Sequence, residues 1–269
     1  MRKFFSFIAV MCCAVMMNAT EGVLPGRFTI NKQGDQIRFS QGNLQYQQAT
    51  QTWQFAENQW DFLFEANNQA SFVNPDNVID LYGWGTGDRP TLISESYNDF
   101  ATYAEWGDNA ISNGGNEPGL WRTLTNAEWE YIATGRDNAD LLRGQGIVND
   151  VYGYIFLPDY FCLPRGLRFT PAPRAWVSTN TYTAEEWAVL EAEGAVFLPS
   201  GSYRKATGSV VEESYHWGYY WSSTPGEEST NLSDSDKAKK AGYISFTNDG
   251  LKQTSFTDRR QGASVQTRI

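Results

Sequence analysis

Few residues in this 269-residue sequence have side chains suited to nucleophilic or zinc chemistry. It contains one histidine, His216, and three cysteines, of which two (Cys12 and Cys13) fall in the apolar segment at the N-terminus. The third, Cys162, could act as a nucleophile with His216 as its base. Because Cys162 stands between two apolar residues, we expect instead that it is a small buried hydrophobe. One histidine and one remaining cysteine do not make the usual zinc ligand sets.

Carboxylates offer two further kinds of chemistry. Glu128 and Glu186 could act as the acid and base of a glycoside hydrolase. Four loop aspartates could supply oxygen ligands for calcium: Asp76, Asp80, Asp88 and Asp108. They do not form the D-x-D-x-D-G pattern of a calcium loop, so we interpret them as solvated loop residues. No motif supports calcium binding, and the sequence predicts no other cofactor.

Aromatic stacking is the third kind of chemistry. The segment YHWGYYWSST (215–224) places five tyrosines and tryptophans within seven positions. Exposed rings of this kind can stack on the faces of sugars or fill pockets on a protein partner. We predict that Trp221 and Tyr219, which lie on the same strand face, are both buried. The predicted ligand-binding rings are Tyr203, Tyr215 and Trp217.

The overall charge limits the choice of partner. The sequence has 31 acidic and 21 basic residues, which gives a net charge of −10. Nucleic acid and anionic membrane surfaces are poor partners for such a protein. The aromatic content of 15% and the 24 glycines favour a β-rich fold. The length fits one large domain.

The first 19 residues are typical of a secretory signal peptide. Arg2 and Lys3 precede an apolar run over 4–17, and cleavage after Ala19 is expected. No later apolar run is long enough to span a bilayer. We therefore predict an exported protein that does not span the membrane and that is periplasmic, at the cell surface or secreted.

The remaining chain, residues 20–269, predicts strands at both ends and helices between them. Residues 27–64 read as a β-rich part and residues 65–120 as a loop-rich insert, and strands return after residue 197. Two intervening helices each begin with the T-x-x-E spacing of a capping box, followed by a tryptophan. These residues are Thr125, Glu128 and Trp129 in the first helix and Thr183, Glu186 and Trp187 in the second. We predict that both tryptophans are core residues and that both glutamates have a structural role.

Two segments resemble known families. WRTLTNAEWEYIATGR (121–136) resembles the signature of formylglycine-generating-enzyme and sulfatase-modifying-factor-like domains. GYYWSST (218–224), followed by RRQGASVQTRI (259–269), is similar to the close of the Fibrobacter succinogenes major paralogous domain. Arg259 and Gly262 match that pattern, whereas Gln266 stands where it has an arginine. The chain also looks like exported proteins of gut Bacteroidales.

The resemblance implies an α+β, C-type-lectin-like fold. In this fold two short helices pack on small twisted antiparallel sheets with long irregular loops, here as a single domain over 20–269. Formylglycine-generating enzymes use paired cysteines near the C-terminus, but no cysteine follows Cys162. The sugar site of calcium-dependent lectins needs Glu-Pro-Asn and Trp-Asn-Asp, which are absent here. The resemblance therefore implies the scaffold without either chemistry.

Three classes of function follow from these observations. The first is an exported, non-catalytic domain that binds a glycan or a protein ligand. The second is a carboxylate-based glycoside hydrolase, and the third is a non-catalytic surface or assembly protein. Binding to a glycan array separates the first class from the third. Loss of hydrolysis after mutation of a carboxylate pair would support the second.

Export makes a direct prediction about the N-terminus of the protein. When the full chain is expressed in a host that recognises its signal peptide, the recovered protein should begin near Thr20. N-terminal sequencing of the exported fraction measures this. A cytoplasmic protein that keeps Met1 would contradict the prediction.

Overall fold

The computed structural model describes residues 21–63, 78–171, 180–211, 216–247 and 249–269, apart from the side chain of Gln253. Over these ranges the chain is a mixed α/β structure with few helices and several small sheets. The strands in each sheet pair antiparallel, except for one parallel pair. The expected signal peptide, Asp76 and Tyr215 lie outside the described residues.

The N-terminal part forms two small sheets. Strands β1 (Phe28–Thr29) and β2 (Gln36–Ile37) pair antiparallel. Strands β3 (Leu44–Gln47), β4 (Thr52–Phe55) and β5 (Val78–Ile79) form the second sheet in the order β4-β3-β5. The predicted hairpin between β3 and β4 is confirmed, with Gln51 in the left-handed conformation at φ 54°.

Residues 80–121 contain little regular structure but much of the core. Two 3-10 turns, Tyr97–Phe100 and Trp106–Asp108, precede strand β6 (Arg122–Thr123). Trp84, Trp106 and Trp121 are buried. A loop with buried residues needs partners for its polar groups, and the Trp121 indole donates to the carbonyl of Gly114 at 2.7 Å. The expected loops therefore form a packed layer.

Helix α1 (Asn126–Glu130) and helix α2 (Ala184–Ala192) both begin as predicted. Thr125 and Thr183 are the N-caps, and each forms a reciprocal capping box with the glutamate three residues on. The chain of α1 continues into a π-helical turn, Tyr131–Gly135, and Gly194 ends α2 at φ 90°. A 3-10 turn, Ala139–Leu141, follows α1.

The strands of a four-stranded sheet lie before and after α2 in the sequence. Its strands are β7 (Arg143–Val148), β8 (Val151–Phe156), β9 (Thr181–Tyr182) and β10 (Val196–Pro199), in the order β10-β8-β7-β9. The sequence analysis did not predict the β7–β8 hairpin. Its turn residues, Asn149 and Asp150, both have positive φ, which is the conformation of a type I′ hairpin turn.

The C-terminal part contains the longest strands. Strands β13 (Gly218–Pro225), β14 (Lys240–Thr247) and β15 (Gly250–Asp258) form one sheet, and β11 (Tyr203–Arg204) pairs with β12 (Val210–Val211). A 3-10 turn, Gly226–Glu228, and helix α3 (Asp234–Lys237) lie between β13 and β14. Strand β16 (Thr267–Arg268) pairs with β6.

The segment 262–269, here called the C-terminal strap, joins many of these elements. Its backbone forms hydrogen bonds with Arg204, Tyr82, β13, β3 and β6 along its length. At its end, the amides and carbonyls of Ile269 and Arg38 bond to each other at 3.0 and 3.1 Å. The strap therefore brings the end of the sequence against its N-terminal part.

Three hydrophobic clusters make up the core. Trp129 lies in the first, Trp221 in the second and Trp187 in the third, and all three are fully buried. This burial confirms the predicted core role of Trp129 and Trp187. Neither indole nitrogen has a hydrogen-bond partner within the described residues, so both side chains act through packing alone.

The prediction that Cys162 is buried is wrong, because its side chain is exposed. The irregular segment after β8 turns outward there: Tyr160 is 94% exposed and Leu163 is 45% exposed. Phe161 is the residue that packs against the third cluster. A short apolar run outside a strand does not alternate in a fixed way, so its neighbours did not predict which side chain turns inward.

Replacing Trp129 by alanine should lower the free energy of unfolding by about 3–5 kcal/mol, because the cavity and the lost contacts add. The ring stacks on Phe39 at 5.6 Å and lies 6.3 Å from Phe156. Urea denaturation measures the change. The matched variant Trp129→Phe, which keeps an aromatic ring, should lose much less. An unchanged stability of Trp129→Ala would contradict the assigned packing.

Replacing Thr125 by alanine should cost about 1 kcal/mol through the lost N-cap. The Thr125 hydroxyl accepts from the Glu128 amide at 3.2 Å, and the Glu128 carboxylate accepts from the Thr125 amide at 2.8 Å. Thr125→Ser keeps the oxygen and should remain close to wild type in the same urea experiment. Equal losses in both variants would show that the methyl group, rather than the cap, carries the effect.

Candidate functional site

Strand β13 is covered on both faces. Tyr220 points into the first hydrophobic cluster, whereas Tyr219 and Trp221 face the second. The Tyr220 hydroxyl donates to the carbonyl of Pro199 at 2.8 Å, and the Trp221 indole donates to the carbonyl of Tyr82 at 2.6 Å. Burial raises the pKa of Tyr220 far above its ordinary value. Both side chains therefore belong to the core and support the fold.

The predicted burial of Trp221 is confirmed, but Tyr219 is only half-buried. Tyr219 is the second residue of β13, and its ring packs against the second cluster while remaining partly accessible to solvent. Tyr220, which the sequence analysis did not assign to the core, is the fully buried tyrosine. Because both faces of β13 are covered, alternation along the strand did not show which tyrosine is exposed.

Three half-buried rings surround that of Tyr219, which is half-buried as well, and the four together form what we call the aromatic surface: Tyr203, Trp217, Tyr219 and Tyr243. The centroid of the Tyr219 ring lies 5.0 Å from that of Tyr203 and 5.9 Å from that of Tyr243. The Trp217 ring is 6.5 Å from Tyr219. These distances are those of aromatic pairs in contact. The four residues come from β11, β14 and the start of β13, so separate elements converge on one surface.

A small depression lies beside these rings. It contains about 190 Å³ of empty space, including space open to solvent, and is lined by Tyr203, Tyr219, Trp221, Tyr243, Thr257, Gln261, Gly262 and Ala263. The Thr257 hydroxyl donates to the side-chain oxygen of Gln261 at 2.7 Å. Within the described residues, the side-chain nitrogen of Gln261 forms no hydrogen bond. The depression thus combines aromatic walls with an amide donor.

Gly262 allows two backbones to approach closely beneath this surface. Its amide and carbonyl bond to the carbonyl and amide of Arg204 at 2.8 and 2.9 Å. A Cβ atom at position 262 would lie 3.0 Å from side-chain atoms of Arg204. Arg204 is itself buried, and burial lowers its pKa to about 10. Gly262 therefore fixes the C-terminal strap against β11, the strand that carries Tyr203.

Arg259 is a scaffold residue. Its guanidinium is buried, donates to the carbonyls of Phe100 and Lys240 at 3.2 and 3.0 Å, and pairs with Glu227 at 3.3 Å. The guanidinium also lies over the ring of Trp84, 4.9 Å from its centroid. Arg259 thus ties the loop that follows residue 80 to the connection between β13 and β14.

The structure brings two of the three predicted ligand-binding residues together. Tyr203 and Trp217 both belong to the aromatic surface, while Tyr215 lies outside the described residues. Tyr219 and Tyr243 were not predicted there. Tyr243 faces Trp221 across β13 and β14, and this register places its ring beside that of Tyr219. His216 also lies against an aromatic ring, with its centroid 4.0 Å from that of Tyr152.

The candidate carboxylates have structural partners. Glu128 pairs with Arg122 and, at 3.1 Å, with Arg268. Glu186 accepts from the amide of Thr183 at 3.0 Å, as its capping role requires.

The interpretation of the four candidate calcium aspartates as solvated loop residues is wrong for Asp80, which is buried. Asp80 is buried and accepts from the amide of Leu63 at 2.8 Å, Asp88 pairs with Arg89 at 3.3 Å, and Asp108 is exposed. Over the described ranges, no group of three or more His, Cys, Asp or Glu residues is placed to hold a metal ion. The same ranges contain no helix long and apolar enough to cross a membrane.

The chain matches no protein-family model, no curated protein and no solved structure. The resemblance of 121–136 and 218–269 to known signatures therefore stays a prediction. What can be said of the function rests on the geometry of the aromatic surface.

Proposed function

We propose that this protein is an exported, non-catalytic binding domain that recognises a glycan or protein ligand through its aromatic surface. The observation that carries the proposal is the convergence of three half-buried rings on that of Tyr219, from three strands or strand ends. These rings contact one another and are partly accessible to water. A ligand can therefore bury apolar ring surface while the side chains lose little conformational entropy.

The scaffold beneath the surface supports a preorganised site. Trp221 is anchored by its indole to Tyr82, and Gly262 is bonded to Arg204 on both sides. Two elements that carry the rings are therefore held by buried backbone and side-chain hydrogen bonds. A rigid platform loses little conformational freedom when a ligand binds, so more of the contact energy appears as affinity.

The shape of the surface favours a glycan over a drug-like small molecule. Pockets for such molecules are usually about 300–1,000 Å³, whereas this depression encloses room for about one water molecule. An open row of rings suits the apolar face of a sugar, and the Gln261 amide can donate to a hydroxyl group at its edge.

The fold that we propose for this domain is C-type-lectin-like. Two capped helices, several small antiparallel sheets and long packed loops support it. The pairing of Ile269 with Arg38, which brings the end of the sequence to its N-terminal part, supports it as well.

Replacing Trp217 by alanine should weaken glycan binding by about tenfold or more, because it removes about 1.5–3 kcal/mol of apolar contact. Wild-type affinity is expected between millimolar and micromolar, or about −4 to −8 kcal/mol. A glycan array followed by calorimetric titration of the best neutral glycan measures the change. The melting temperature should stay close to that of wild type, because the ring is only half-buried.

Tyr160→Ala is the matched control, since this ring is 94% exposed and lies outside the aromatic surface. It should bind the glycan as wild type does. A Trp217 variant that melts far lower would assign Trp217 to the core and remove the platform. A Trp217 variant that folds normally and binds every ligand like wild type would show that the ring does not contact ligand.

A further inference from the structure

A second candidate site lies at the β1–β2 hairpin, where two arginines face each other. The register of this pair aligns Phe28 with Ile37, so Arg27 and Arg38 are the next facing positions. Phe28 and Ile37 are buried, and neighbouring strand residues point to the opposite face. Arg27 is exposed and Arg38 is half-buried. Both side chains are therefore directed to the outer face of the hairpin.

Facing residues of an antiparallel pair have Cβ atoms about 5 Å apart, and like charges at such positions are destabilising. Neither Arg27 nor Arg38 forms an ion pair within the described residues. Seven other arginines there do: Arg89, Arg122, Arg136, Arg143, Arg259, Arg260 and Arg268. Arg165 and Arg168 form none within the described residues either, so what distinguishes Arg27 and Arg38 is that they face each other across the hairpin.

The two arginines line one groove. It holds about 400 Å³ of empty space, including space open to solvent, and its other lining residues are Gln36, Ile37 and Ile269. The floor is fixed, because the amide of Arg38 donates to the carbonyl of Ile269 at 3.1 Å. The groove therefore presents two guanidinium groups beside the carboxyl group of Ile269, on a backbone that is bonded on both sides.

Asp159 lies on the same face of the hairpin but is already engaged. Its carboxylate accepts from the amide and hydroxyl of Thr29, both at 2.7 Å, and from the Gln36 side chain at 3.2 Å. It also pairs with the buried guanidinium of Arg136 at 3.1 Å. Its negative charge is thus offset locally and fixed in place by four donors.

A strained tyrosine stands next to the groove. The amide of Asp159 donates to the carbonyl of Arg27 at 2.9 Å, and the following residue, Tyr160, has φ 58° and is 94% exposed. A bulky residue in the left-handed region is uncommon, and such strain tends to occur at functional sites. The backbone of Tyr160 therefore follows directly on the amide that bonds to Arg27, whereas its side chain lines neither the groove nor the aromatic depression.

We propose that the groove between Arg27 and Arg38 binds a single oxyanion group of a ligand, such as a carboxylate, sulfate or phosphate. Guanidinium groups bind such groups with paired, charge-assisted hydrogen bonds. A bound oxyanion would also relieve the repulsion between the two arginines. Because the net charge of −10 repels extended polyanions, the fitting ligand carries its charge at one point.

This site is separate from the aromatic surface. The C-terminal strap runs from Gly262, in the aromatic depression, to Ile269, in the arginine groove. The groove and the aromatic depression share no lining residue, so a substitution in one leaves the lining of the other unchanged.

The test is a titration of the purified protein with sodium sulfate, sodium phosphate and sodium acetate at constant ionic strength, set with sodium chloride. The readouts are the arginine Nε–H signals in NMR spectra and the melting temperature. At least one anion should bind saturably, and Arg27→Gln and Arg38→Gln should each weaken it about tenfold or more, as expected for lost charge-assisted hydrogen bonds. The preferred anion identifies the chemical group.

Lys32→Gln is the matched control, because it removes the same charge from the turn of the same hairpin and does not line the groove. It should bind the anion within about twofold of wild type, since only long-range screening changes. Without anion, Arg38→Gln should melt at or above the wild-type temperature because the facing repulsion is gone. Trp217→Ala should keep anion binding, which separates this proposal from glycan recognition.

Two results would overturn the proposal. One is the absence of saturable binding for all three anions in the wild-type protein. The other is an equal loss of binding in Lys32→Gln and in the two arginine variants. This result would mean that anion affinity depends on the overall charge of the protein and not on the groove.

Discussion

The burial of strand β13 on both faces is the constraint on which much of this structure depends. Tyr220 enters one hydrophobic cluster and Trp221 enters another, so a single strand forms the wall between two cores. Each of the two side chains donates a hydrogen bond to a distant carbonyl, at Pro199 and Tyr82. A shift of one residue in the register of β13 would turn Tyr220 toward the second cluster and Trp221 toward the first. The position of Tyr219 at the edge of one cluster follows from the same register.

The chain stabilises its long loops with aromatic residues and buried arginines. In the described ranges the one cysteine is exposed and unpaired, so no disulfide holds these loops. Trp84 and Trp121 instead donate their indole hydrogens to backbone carbonyls at 2.9 and 2.7 Å. The Arg259 guanidinium donates hydrogen bonds to the carbonyls of Phe100, Lys237 and Lys240. Such buried donors satisfy backbone groups that irregular segments cannot pair among themselves.

Features with a local physical cause could be predicted from the sequence, whereas those that depend on register could not. The capping boxes at Thr125 and Thr183 involve residues three positions apart, and both form as expected. The β7–β8 hairpin was missed because glycines and polar residues interrupt its alternation, although Asn149-Asp150 is a recognisable turn signal. In the candidate site, Tyr203 and Trp217 could be named from composition. Tyr243 could not, because only the pairing of β14 with β13 brings it there.

The C-terminal strap has a consequence for the order in which this protein can assemble. Residues 262–269 supply hydrogen bonds to strands that are synthesised much earlier, including β3 and β6. The backbone groups of those strands that bond to the strap remain unpaired until residues 262–269 have left the ribosome. Contacts between the two ends of a chain make folding slow, and waiting edges are prone to pair with other molecules. Removal of residues 262–269 would therefore leave β3 and β6 without these backbone partners and with polar groups open to other strands.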